Sequence, residues 1–202
     1  MNLGRQQIVE LLRSGQLVVD PISPGHLQPA GIQLSLGKMV AKMKLGQIID
    51  PASGIAPEFD TFEIGPAGLP LAAGEFLLGH TLEKLAIPGN MLAMIDGRST
   101  MGRIGIVPHT AAMAIWPGHG KGPLGPRQIT LEIKNHADCT VVLRPGLFIA
   151  NMTFQTLETP VEHNYDSSTS SKYSADQGIM LPRFDGEFVN EAQFVRDLAM
   201  LK

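Results

Sequence analysis

Two stretches of this chain set reactive side chains where few neighbours would compete with them. The first is Asp96-Gly97-Arg98-Ser99-Thr100-Met101-Gly102-Arg103-Ile104-Gly105, which places a serine hydroxyl and two guanidinium groups among glycines. Backbone N–H groups, a hydroxyl and the rigid forks of Arg98 and Arg103 together suit the oxygens of a polyphosphate. The same pattern also fits an ordinary surface turn. The second stretch is Ile129-Thr130-Leu131-Glu132-Ile133, a single carboxylate in an otherwise apolar run. There it could move a proton. Its plainer reading is a strand-edge glutamate that faces solvent or pairs with Lys134.

The elements that must position these groups are mostly strands. Ile8, Val9, Leu11 and Leu12 form an apolar stripe that predicts one early helix over residues 3–14, ended by Gly15. Beyond it, 22 Gly and 15 Pro punctuate short runs of Val, Ile, Leu and Phe. That pattern reads as β-structure with many turns. Strands are expected at 17–19, 31–36, 47–49, 75–79, 83–87, 91–95, 104–107, 129–134, 140–143 and 147–155. A mainly β, distorted jelly roll accommodates so many short strands. Residues 50–72, rich in Pro and Gly, read as a long excursion or arm. Residues 166–180 form a polar segment, either a disordered linker or a mobile flap. The flap reading is preferred because Lys172, Tyr173 and Gln177-Gly178 sit within it and apolar sequence resumes afterwards. Phe188, Val189, Phe194, Val195, Leu198 and Leu201 predict a terminal helix over 187–201.

Composition narrows the functions. The 202 residues fit a single domain, and with 44% hydrophobic and 17% charged residues the chain can bury a core. A formal net charge of -3 argues against a sequence-independent nucleic-acid partner, so phosphate binding must be local. No apolar run approaches the roughly 20 residues that span a bilayer. The N-terminus is amphipathic and unlike a signal peptide, so a soluble cytoplasmic protein without membrane partners is expected. Cys139 is the only cysteine. The zinc deaminases place a Cys-x-x-Cys pair on their metal, and one cysteine cannot supply it. The histidines at 26, 80, 109, 119, 136 and 163 lack metal-ligand spacing. No metal ligand is therefore assigned, and protein groups alone must activate any water.

Several ordered motifs then bear on identity. Gly74 to Pro88, Asp96 to Gly105, His109 with Ala111-Ala112, and Pro117-Gly118 come first. Leu131-Glu132, Leu143-Arg144-Pro145-Gly146, Lys172-Tyr173 and Gln177-Gly178 follow. In order and spacing they resemble the dCTP deaminase and dUTPase family, over residues 3 to 183. Ala30 to Gly37 is similar to the family's early strand, with Gln33 in place of the usual acid.

The resemblance implies a dUTPase-like β-barrel that assembles as a homotrimer with active sites between subunits. It implies zinc-free hydrolytic deamination of dCTP, or a closely related cytosine deoxynucleotide, to dUTP and ammonia, with Mg²⁺ accompanying the triphosphate. Glu132 falls on the catalytic glutamate, which takes a proton from the water attacking C4 of cytosine and delivers it toward ammonia. Ser99 and Arg103 fall near the phosphates and the attacking water, with Arg98 beside them. Ala111 and Ala112 lie where backbone groups read the pyrimidine edge, Tyr165 against the sugar, and Lys172 on the phosphates. Two alternatives stay open: dUTP diphosphatase activity, alone or coupled to deamination, and a non-catalytic nucleotide binder of the same fold.

Three departures from the family pattern stand out. The family's Ile-Asp-Pro-Gly is Ile115-Trp116-Pro117-Gly118 here. That Asp holds the 3′-hydroxyl and, in the diphosphatases, the hydrolytic water, whereas an indole only donates. Trp116 is thus expected to contact base or sugar in another way and to disfavour diphosphate hydrolysis. An insertion, His119 to Arg127, lengthens the link to the glutamate strand; it reads as a benign hairpin, or as a source of Lys121 and Arg127 for specificity. The phosphate-binding Gln of the flap aligns with Asp176, which leaves Gln177 one residue on as the candidate.

Overall fold

The computed structural model describes residues 1–108, 112–167, 171–173, 177–185 and 187. Helix α1 (Arg5–Arg13) buries Ile8 completely and packs Leu11 and Leu12 beside it. Its start is capped by the Gln7 side chain, which accepts the Gly4 N–H at 3.0 Å. Its end is the turn at Gly15, whose φ of 71° suits glycine.

The chain then runs through β1 (Val18–Asp20), β2 (Leu27–Gln28), β3 (Gly31–Ser35), β4 (Met39–Met43), β5 (Phe59–Glu63), β6 (Leu69–Leu71) and β7 (Phe76–His80). Next come β8 (Lys84–Ala86), β9 (Met91–Gly97), the short helix α2 (Ser99–Arg103), β10 (Ile106–Val107) and β11 (Ala114–Ile115). The last strands are β12 (Thr130–Asn135), β13 (Val141–Leu143) and β14 (Phe148–Thr156). One five-stranded sheet has the order β10-β12-β7-β4-β5 and the other β11-β9-β14-β3-β2. Two-stranded ribbons β1-β8 and β13-β6 flank them, and every pairing is antiparallel. Leu34, Val40, Leu77, Ile95, Leu131, Ile133, Met152 and Phe154 form part of a single shared core. This is the jelly-roll class expected from the many short strands.

Four details differ from the sequence reading. No strand forms at 47–49. Gln47 instead ties the loop together through Lys44 and Glu58, and Ile48 is 98% exposed. Residues 50–72 are no free arm, because they contain β5, paired with β4, and β6, paired with β13. Strand β4, with Met, Ala and Lys among its residues, has weak β-propensity and is held between β5 and β7. The strand expected at 104–107 begins at Ile106, because α2 and the turn at Gly105 occupy the preceding residues. The proposed terminal helix over 187–201 lies outside the described residues except for Glu187.

Candidate active site

Strand β12 alternates strictly. Leu131, Ile133 and Asn135 are buried, and Thr130, Glu132 and Lys134 face the other way. Packing of the first set into the core therefore fixes Glu132 on the opposite face. On one side β7 pairs along the strand, and on the other β10 reaches only Lys134 and Asn135, short of Glu132. It pairs in register with Leu78, and Lys134 is engaged elsewhere by the Gly74 carbonyl. Glu132 is half-buried and lines a cavity of about 340 Å³.

Ala112, Trp116, His119, Tyr165 and Tyr173 line that same cavity. Its walls are mostly apolar, with one carboxylate and a few polar groups converging on it, the usual make-up of a small-molecule site. Trp116 is 58% exposed and borders a second cavity next door, shared with Tyr165, Lys172 and Tyr173. Lys172 is paired there with Glu187, which raises its pKa. Tyr165 is fixed by its backbone N–H, which donates to the Pro117 carbonyl at 2.8 Å. Burial, above other causes, pushes its phenol up. His119 is only 7% exposed, with its ring centroid 6.2 Å from that of Tyr165. Burial, and then the Arg127 charge, push His119 down from 6.5 to about 4, so the ring is neutral at pH 7.

The Arg-Ser segment folds at the end of β9. Ser99 opens α2, and Arg103 reaches back one turn to donate to the Ser99 hydroxyl at 2.5 Å. Both are exposed. Arg98 is turned onto the barrel, donating to the Phe148 carbonyl at 3.0 Å with its guanidinium 5.5 Å from the Phe148 ring centre. None of the three lines the cavity around Glu132.

This chain matches the dCTP deaminase-like family over residues 2–157. It belongs to that family. A dCTP deaminase of Haloarcula marismortui is 34% identical over 194 residues, covering 93% of this chain and 96% of its own. A protein of Dictyoglomus thermophilum named dCTP deaminase, dUMP-forming, is 34% identical over 200 residues, with 96% and 100% covered. The fold is similar to that of the 2′-deoxycytidine 5′-triphosphate deaminase from Agrobacterium tumefaciens, with a TM-score of 0.57 and 22% identity. That match covers 77% of this chain and 47% of that one, so the present chain spans about half the length of that structure.

Within this dCTP deaminase-like chain, the expected site residues fall into groups. Glu132, Ala112, Trp116 and Tyr165 meet at one cavity, and Lys172 borders the adjoining one. Gln177 lies farther off, with its amide donating to the Leu124 carbonyl at 3.3 Å. Ser99, Arg98 and Arg103 form a separate group, while His109, Ala111 and Asp176 lie outside the described residues. Sequence reasoning missed three participants. His119 lines the cavity, and Tyr173, read only as part of the flap and given no role at the site, lines it too. The third is Asp166, bonded to Arg127 of the insertion. No helix among the described residues is long and apolar enough to cross a membrane.

Proposed function

We propose that this chain hydrolytically deaminates dCTP, or a closely related cytosine deoxynucleotide, to the uracil nucleotide and ammonia. The observation that carries this reading is Glu132, held on the outward face of β12 in a cavity walled by Ala112, Trp116 and Tyr165. Glu132 takes one proton from water as the water oxygen bonds C4 of the base. It returns that proton to the amino nitrogen as the C–N bond breaks and ammonia leaves. The water's other proton ends on N3, and the carboxylate is regenerated. Ala112 leaves room for the base, while Tyr165 and Trp116 wall the sugar side.

Ser99 and Arg103 do not reach this cavity within one chain, so a neighbouring copy has to present them. A homotrimer with its sites between subunits meets that need. Among the described residues, no group of three His, Cys, Asp or Glu side chains could hold a metal ion. Mg²⁺ is read as part of the substrate, bound to triphosphate oxygens and water. A cytoplasmic location suits a nucleotide substrate. A second reading, deamination with pyrophosphate release, is favoured by the dUMP-forming name of the Dictyoglomus relative. It is opposed by Trp116, which has no acceptor with which to orient a second water.

The deciding experiment incubates purified protein and Mg²⁺ with dCTP, CTP, dCMP, 5-substituted dCTP and dUTP, and identifies products by mass spectrometry. Replacement of NH by O on a cytosine nucleotide, with free ammonia, is expected. Pyrophosphate would select the second reading, and binding without turnover would select a nucleotide binder. Glu132→Gln should lower turnover by about 10²–10⁴-fold with the nucleotide Kd nearly unchanged. Loss of binding in a folded variant would remove Glu132 from its catalytic role.

A further inference from the structure

The insertion between Pro117 and β12 contains a device that catalysis by Glu132 does not require. Arg127 is 1% exposed, and its guanidinium is paired with Asp166; the two side chains are 0% and 4% exposed. The Arg127 backbone is anchored on β8, exchanging N–H···O bonds of 3.0 and 2.7 Å with Leu85. From this fixed base its fork reaches both Asp166 and Tyr173. One nitrogen, Nη2, holds Asp166, and the other, Nη1, donates to the Tyr173 carbonyl at 2.9 Å. The second Asp166 oxygen accepts the Gly122 N–H at 2.9 Å. A methyl group at residue 122 would sit 2.8 Å from the Asp166 Cβ, and one at Gly118 would sit 2.4 Å from the Asn164 Cβ. The glycines thus clear the path along which 164–166 lies against the insertion.

A buried ion pair is weak support for stability, since well-packed apolar side chains of similar size often do as well. A planar fork with two acceptors adds something else, which is fixed geometry. Here one acceptor adjoins, and the other belongs to, the residues that form the aromatic wall. Tyr165 immediately precedes Asp166, and Tyr173 carries the second acceptor.

We propose that Arg127 and Asp166 are positioning residues for the nucleotide, a buried latch that holds Tyr165 and Tyr173 against the cavity before substrate arrives. The proposal rests on reading that cavity as the nucleotide site. Neither Arg127 nor Asp166 lines the cavity around Glu132, so loss of the latch weakens substrate and transition state alike. It should therefore appear in KM and spare kcat.

The test compares Arg127→Met, Asp166→Asn and the double variant with wild type, all as full-length protein. Hydrogen exchange over residues 160–167 and 171–173 is measured without nucleotide, and steady-state kinetics with cytosine nucleotide. Faster exchange, a KM raised about tenfold and a kcat within about twofold are expected. The double variant, free of an unpaired buried charge, should fold and be no worse than the single variants. It decides the matter should Arg127→Met fail to fold. Unchanged exchange and unchanged KM in folded variants would overturn the proposal, as would a fall in kcat at constant KM. A wild-type protein that turns over no cytosine nucleotide would instead overturn the reading of the cavity. Exchange would then still decide whether the pair holds the tyrosine wall.

Discussion

Acid should loosen this protein through one histidine. His119 is buried beneath Tyr165, and burial together with the Arg127 charge lowers its pKa from 6.5 to about 4, a difference of about 2.5 units. The folded value lies below the unfolded one. Between pH 6.5 and about 4 the unfolded chain therefore binds a proton that the folded chain refuses, and stability rises with pH across that window. The contribution is complete above pH 6.5 and lost as the pH falls to about 4. At 1.36 kcal/mol per unit it amounts to about 3 kcal/mol. The perturbation is His119→Gln, whose amide keeps a donor for the Arg127 carbonyl but does not titrate. Urea midpoints would be measured from pH 7 to pH 4 at fixed protein concentration, since assembly shifts apparent stability. Wild type should lose about 3 kcal/mol more than the variant over this interval. His80, also lowered by burial, and Glu75, lowered by hydrogen bonds to the Ala72 N–H and Lys42, titrate in both proteins and drop out of the difference. Parallel pH profiles would refute the assignment, and His119 would then have to be solvated or already charged at neutral pH.

Three further outcomes are expected. Trp116→Ala should change stability by no more than about 0.5 kcal/mol, because the side chain is 58% exposed. It should nevertheless raise KM for a cytosine nucleotide, and an unchanged KM would show that the indole is idle. Glu83→Ala should cost about 2 kcal/mol by urea unfolding, because it strips both carboxylate oxygens from the buried Ser35 N–H and one from His26. A near-neutral result would mean that water replaces the carboxylate. Finally, Glu132→Gln and Arg103→Ala should each be inactive alone, yet subunits unfolded together in equal amounts and reassembled should regain activity. If each site draws Glu132 from one copy and Arg103 from the next, random assortment leaves about a quarter of sites intact. No recovery would place both residues in a site built by one chain.

What could be read from the chain divides by the range of the interactions involved. The outward aim of Glu132 follows from its neighbours alone, because Leu131 and Ile133 must both enter the core and a strand has period two. Helix α1 is equally local, set by the Ile8, Leu11 and Leu12 stripe and the glycine at its end. By contrast, β4 and β5 are stabilised by pairing across the fold. Nothing in Met-Val-Ala-Lys-Met announces a strand, whereas the exposed Ile48-Ile49 pair falsely does. The separation of Ser99 and Arg103 from Glu132 is likewise a fact about tertiary placement, which motif order cannot report. The Arg127–Asp166 pair shows what remains readable in principle. Its partners stand 39 residues apart and share no periodicity. Yet Gly118, Gly120 and Gly122 alternate directly before it, and each leaves no room for a methyl group. Alternating glycines in a loop usually mark flexibility. Here they mark close approach, by Asn164 and Asp166 at Gly118 and Gly122 and by β8 at Gly120.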